Sequence, residues 1–131
     1  MHHVNGSFDV KLQPIDAYNR DEGAGFARMS IDKQFHGALE ATSKGEMLSA
    51  MGNVKGSAGY VAIERVTGTL GGRKGSFTLQ HNATMTRGEP YLNIIVVPDS
   101  ATGELAGLSG SMKIEITDGK HFYAFDYALA D

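Results

Sequence analysis

Apolar and polar residues alternate with a period of two through most of this chain. That pattern leaves room for little besides half-buried antiparallel strands. Ala27, Met29, Ile31 and Phe35 alternate with Arg28, Ser30, Asp32 and Gln34, and Lys33 is the one polar residue on the apolar side. Phe77, Leu79 and His81 stand against Ser76, Thr78, Gln80 and Asn82. Met112, Ile114 and Ile116 stand against Lys113, Glu115 and Thr117, and His121, Tyr123, Phe125, Tyr127 and Leu129 against Phe122, Ala124, Asp126 and Ala128. Helical periodicity competes in one place. Residues 37–51 (GALEATSKGEMLSAM) hold good helix formers, but Gly45 interrupts them and their apolar positions suit either period.

Turn chemistry falls between the alternating runs, at Asp21-Glu22-Gly23, Gly52-Asn53, Gly71-Gly72, Arg87-Gly88-Glu89-Pro90, Pro98-Asp99-Ser100 and Asp118-Gly119. The punctuation predicts strands at 6–13, 25–36, 38–51, 58–70, 73–85, 91–98, 104–117 and 120–129. Several exceed the usual strand length of about 5–6 residues. About eight long, twisted, sequentially connected strands close naturally into a barrel. Glycines at 59, 68, 75, 107 and 110 are poor strand formers that fit where a barrel strand bends or two backbones approach closely. The fold expected is a single all-β domain over residues 1–131, an antiparallel barrel of about eight strands.

Composition removes whole classes of function. With no Cys there is no thiolate catalysis, disulfide or Cys-based zinc site. A net charge of −3 lacks the basic field that nucleic-acid binding needs. No stretch approaches the roughly 20 apolar residues of a membrane-spanning helix, and MHHVNGSFDV has no apolar core behind a positive start. A soluble cytoplasmic protein is the expectation, with no nucleic-acid or membrane partner and no cofactor. There is no nucleophile elbow and no Walker loop, and Gly23-Ala24-Gly25 lacks the third glycine of a dinucleotide fingerprint.

The block GYVAIERVTGTLGGRKGSFTLQH (59–81), the block VVPDSATGELAGLSG (96–110) and the ending HFYAFDYAL resemble a bacterial family of small proteins described only as a domain of unknown function. The similarity spans nearly the whole chain, with Ala101 where the family pattern has Gly. The resemblance implies a barrel similar to that of plant allene oxide cyclase and the dirigent proteins. The cyclase's own Gly-rich turn is only loosely echoed by Thr102-Gly103-Glu104-Leu105-Ala106-Gly107, so the resemblance implies fold and leaves activity open.

The hairpin around Gly71-Gly72 fixes a register. If those two residues form the turn, Leu70 faces Arg73, and stepping outward pairs Val66 with Phe77, Glu64 with Leu79 and Ala62 with His81. Tyr60, Ala62, Glu64, Val66, Phe77, Leu79 and His81 then share the more apolar face, which is placed inside. Glu64 and His81 become diagonal neighbours within side-chain reach. A slip of one residue would bring Arg65 to His81 instead.

An inward Glu beside a His is a candidate acid/base pair, because burial raises a carboxyl pKa and a neighbouring imidazolium lowers it. The plainer alternative is a structural ion pair of Glu64 with Arg65, Arg73 or another cation. A metal held by His81, His121 and Glu64 lacks diagnostic spacing and is set aside. Tyr60, Phe77, Leu79, Tyr123 and Tyr127 are candidates to line a cavity, against ordinary core packing. Pro98–Gly103 is either a lid over the barrel mouth or a simple turn.

Three functions compete. The first is a binding module for a small apolar or amphipathic ligand. The second is an isomerase or cyclase-like enzyme using Glu64 and His81, and the third is a structural oligomer with a filled barrel. Val61 and Ile63 on the outer face point to a homo-oligomer, dimer or trimer.

Overall fold

The computed structural model describes residues 1–129. The strands are β1 (His2–Ile15), β2 (Phe26–Gly37), β3 (Leu39–Met51), β4 (Ala58–Leu70), β5 (Arg73–Thr86), β6 (Glu89–Val96), β7 (Ser109–Thr117) and β8 (Lys120–Ala128). Each pairs antiparallel with its sequence neighbours, and β1 pairs with β8 to close the barrel. The helical alternative for residues 37–51 gives way to β3, whose inward residues Leu39, Ala41 and Ser43 are buried between exposed ones. No helix among the described residues is long and apolar enough to cross a membrane.

The β4–β5 register is the one that the Gly71-Gly72 turn dictates. Leu70 faces Arg73, Glu64 faces Leu79 and Ala62 faces His81. Both turn glycines have positive φ, +57° and +85°, as a two-residue turn of this twist requires. The even register places Val66, Phe77 and Leu79 in the core, each at most 1% exposed, and turns Val61 and Ile63 outward.

One expected strand is shorter. Residues 104–108 do not join β7, which begins at Ser109. Gly103–Leu105 instead form one 3₁₀ turn, with Leu105 and Leu108 driven into the barrel core. The segment before it runs along β5, with Thr102 N–H donating to the Ser76 carbonyl at 2.8 Å and Thr78 N–H to Ser100 Oγ at 3.0 Å. These bonds supply backbone partners to β5 beyond the end of β6. Pro98 and Asp99 form the expected turn, with Ser100 N–H donating to the Val97 carbonyl at 3.2 Å, and residues 100–103 then help to seal the packed end of the barrel rather than forming a lid over its mouth.

The interior divides into two halves. At the end bounded by the 71–72 turn, Phe35, Phe77, Phe125, Leu39, Leu70 and Leu105 are all at most 1% exposed. Phe77 and Phe125 stack there with ring centroids 5.8 Å apart. The opposite half, bounded by the 16–25, 52–57, 87–88 and 118–119 connections, holds smaller or more exposed inward side chains.

Gly45, the residue that broke the helical pattern, sits where β3 crosses Glu64 of β4. A Cβ there would run into the Ile63 carbonyl oxygen and into Cα and Cβ of Glu64. Gly59→Ala, by contrast, would meet only ordinary contacts at 3.5 Å and beyond. Gly45→Ala is expected to cost about 1–3 kcal/mol of unfolding free energy by overpacking. Gly59→Ala should be neutral or slightly stabilising. Urea denaturation of both variants checks this, and equal midpoints would contradict the close approach.

Candidate functional site

Midway along the barrel, three side chains converge on one carboxylate. Glu64 projects inward from β4 and is 0% exposed. His81 reaches it diagonally from β5, past the small Ala62, and brings Nε2 to 2.6 Å from Glu64 Oε2. Lys33 of β2 donates to the same oxygen at 2.8 Å, and Ser43 of β3 donates to Oε1 at 2.7 Å. Lys33 and Glu64 stand on strands separated by β3. They meet because β3 is thin at this level: Lys33 lies opposite Ser43, and Glu64 opposite Gly45.

Burial pushes the Glu64 carboxyl up, but the His81 hydrogen bond, the Lys33 charge and hydrogen bond, and the Ser43 hydroxyl outweigh it. Together they hold the group at about 2, against an ordinary 4.5. Glu64 is therefore a carboxylate, which only accepts hydrogen bonds, so His81 Nε2 carries the hydrogen between them. The other ring nitrogen, Nδ1, makes no side-chain hydrogen bond, and no buried side-chain nitrogen or oxygen among the described residues lacks a partner. It follows that Nδ1 is not sealed in protein. With the side chain directed inward, it opens on the space within the barrel.

That space is a cavity of about 340 Å³ in the less packed half. Its walls are apolar, with Val10, Ile31, Met47, Leu92 and Ile114 among them, and Leu12 and Ile116 stand at the exposed rim. Lys33, Tyr60, His81 and His121 are its polar lining residues. Lys33 also lies over the Phe8 ring, 5.0 Å from the centroid, which shares its charge with an aromatic face. Burial, and then the nearby Glu64 charge, raise the Tyr60 phenol above its ordinary value, so it is a hydrogen-bond donor at neutral pH.

Of the residues expected at a site, the structure brings Glu64, His81 and Tyr60 together. Glu64 lies behind the cavity floor, screened by Lys33 and His81, and does not line the cavity. Phe77, Leu79, Tyr123 and Tyr127 belong to the packed half and do not reach the cavity. Tyr123 ties strands together there, its hydroxyl donating to the His36 carbonyl at 2.9 Å and accepting from Leu39 N–H at 3.1 Å. Alternation identifies the face of a strand but not the depth along the barrel, and these four are inward at the wrong depth. Arg65 turns outward and donates to Ser76 Oγ at 3.0 Å, so Glu64 takes neither it nor Arg73 as its cation.

His121 lies against Phe8, the ring centroids 5.2 Å apart and the planes tilted by 47°, rather than joining Glu64. Among the described residues no group of three or more His, Asp or Glu is placed to hold a metal. Two residues of the cluster went unrecognised in the sequence, Lys33 and Ser43. The signal for Lys33 was present: a lone Lys on an apolar strand face needs an inward acid, and the hairpin register places Glu64 inward.

The depressed Glu64 pKa fixes a sign. A carboxyl held at about 2 when folded, against an ordinary 4.5, contributes stability that is present above 4.5 and is lost as pH falls toward 2. The gap corresponds to on the order of 3 kcal/mol. Glu64→Gln also leaves Lys33 unpaired, so at neutral pH the variant should be less stable by a few kcal/mol. The difference from wild type should shrink as pH falls from 5 to 2. Urea unfolding at stepped pH measures it, and a difference independent of pH would show that the carboxylate is not held ionised.

The fold has a counterpart among known proteins. The family model described as a protein of unknown function, DUF3224, matches residues 4–127. A crystal structure of a protein of unknown function from this family, from Shewanella oneidensis, is 56% identical to the chain. It superposes with a TM-score of 0.95 over 100% of this chain and 98% of that one. No curated protein matches the chain. A family model spanning the barrel from β1 into β8 means that the chain belongs to the DUF3224 family.

Proposed function

We propose that this barrel binds a small amphipathic molecule in the cavity of its less packed half. The observation that carries this reading is the contrast between the two halves of one interior. One half is filled by its own aromatic and leucine side chains, while the other keeps about 340 Å³ free above a polar floor. That volume lies at the lower end of the about 300–1,000 Å³ typical of ligand pockets, and apolar walls with a few convergent polar groups are their usual make-up. The ligand's apolar body would rest against Val10, Ile31, Met47 and Leu92, and its polar end on Lys33, His81 and Tyr60. The absence of Cys is compatible with a cytoplasmic setting.

The neutral fluorophore N-phenyl-1-naphthylamine tests this directly. It should brighten on wild-type protein, and Leu92→Trp, which fills the cavity from its partly exposed wall on β6, should weaken its binding at least about tenfold with the unfolding temperature little changed. Ile63→Phe, on the outward face of β4, should leave binding unchanged. Equal binding by all three proteins would place the probe elsewhere and overturn the reading.

One observation favours a second reading, an isomerase-like activity of the kind that the expected resemblance to the allene oxide cyclase barrel would imply. His81 presents Nδ1 to the cavity while Glu64 fixes its other nitrogen, the arrangement of an imidazole base backed by a carboxylate. Such a base would take a proton from the carbon beside a ligand carbonyl and return it elsewhere, with Lys33 and Tyr60 donating to the oxygen where charge develops. In D₂O the ketone octan-2-one should then exchange its α-hydrogens on wild-type protein, and His81→Gln should abolish the exchange. Equal exchange with and without protein would remove this reading and leave the binding one standing.

A further inference from the structure

The polar groups that line the cavity share one property. Lys33, Tyr60, His81 and His121 are donors or bases, and no Asp or Glu is among the lining residues. The single acid in the neighbourhood, Glu64, lies behind them with its oxygens already occupied by Lys33, His81 and Ser43. A ligand entering from the rim therefore meets ammonium, phenol and imidazole, and meets no carboxylate.

We propose that the cavity selects a small carboxylic acid, bound as the anion, with its carboxylate on the donors of Lys33 and Tyr60 and its hydrocarbon part toward the rim at Leu12 and Ile116. This rests on the proposed binding function and names its ligand class. The physical argument is one of matching. Lys33 has three N–H donors, and one of them serves Glu64. The Tyr60 hydroxyl makes no hydrogen bond to another side chain or to backbone among the described residues and supplies a further donor. A cationic ligand would face like charge at Lys33 with no exposed acid to offset it. An alcohol could use a donor but would gain nothing from the ammonium charge.

Octanoate, octylammonium and octanol share one chain and differ in the head, so titration calorimetry of the three isolates the head-group preference. Octanoate should bind at least about tenfold more tightly than octanol, and octylammonium should bind more weakly than either. The double variant Lys33→Met with Glu64→Gln removes both charges and leaves no unpaired ion. It should keep octanol affinity and lose the octanoate preference. Tight octanol or octylammonium binding without preference for octanoate would overturn the carboxylate proposal while leaving the binding reading intact. No binding of any of the three, together with no binding of the naphthylamine probe, would overturn both.

Discussion

The ionised carboxylate of Glu64, shut away from water inside a closed sheet, is the interaction around which this barrel is organised. An isolated buried charge costs several kcal/mol even after relaxation, so the fold must answer it with opposite charge and hydrogen bonds or leave it protonated. Here the answer comes from three other strands: Lys33 on β2, Ser43 on β3, and His81 on β5. Each partner brings a backbone constraint with it. Lys33 can reach across β3 because Ser43 and Gly45 occupy little space, and His81 can lean toward Glu64 because Ala62 stands opposite it. The small residues of the inner face are therefore as much part of the cluster as the charged ones.

The same cluster divides the interior. Below it, aromatic and leucine side chains fill the barrel, and the 3₁₀ turn drops Leu105 and Leu108 into what would otherwise be an open end. The seam between β6 and β7 has only two registered pairs, Ile94 with Met112 and Ile95 with Ser111, so the loop's bonds to β5 complete a wall that the strands leave short. Above the cluster, the inward residues are shorter or sit at the rim, and space remains. A hydrophobic filling of the whole barrel would have given a simpler scaffold. Placing a charged, hydrogen-bonded layer in the middle gives a firm base to one half and a polar floor to the other.

Much of this was legible in the sequence because it follows from local rules. Period-two alternation is strong enough to override the helical propensity of residues 37–51, and the Gly71-Gly72 turn leaves one register in which Phe77, Leu79 and Val66 all face inward. The pairing of Glu64 with His81 follows from that register alone. What the sequence withheld concerns relations across the barrel. Lys33 and Glu64 lie 31 positions apart on strands that are not adjacent, and no hairpin rule connects them. Depth along the axis is likewise set by the whole closed sheet, which is why Tyr60 reaches the cavity and Tyr123 and Tyr127 pack below it. Residues 104–108 have a strand-like pattern around Leu105, yet the glycines at 103 and 107 both take positive φ, +65° and +84°, and turn the chain out of the sheet.

The arrangement of charge around Glu64 also bears on why a barrel would keep so costly a group. Replacement of a buried ion pair by apolar residues of similar volume is often neutral or stabilising, so stability alone is a weak reason for Lys33 and Glu64 to be there. A structural role would be served as well by a pair turned wholly into the protein. Instead the acid is enclosed, with both oxygens engaged, and the bases are left at the boundary: Lys33 and His81 both line the cavity while Glu64 does not. An acid so placed orients the two bases and balances the charge of one of them without itself meeting a ligand. That asymmetry is what a recognition floor requires, and it has no counterpart in the packed half, where Tyr123 spends its hydroxyl entirely on backbone groups.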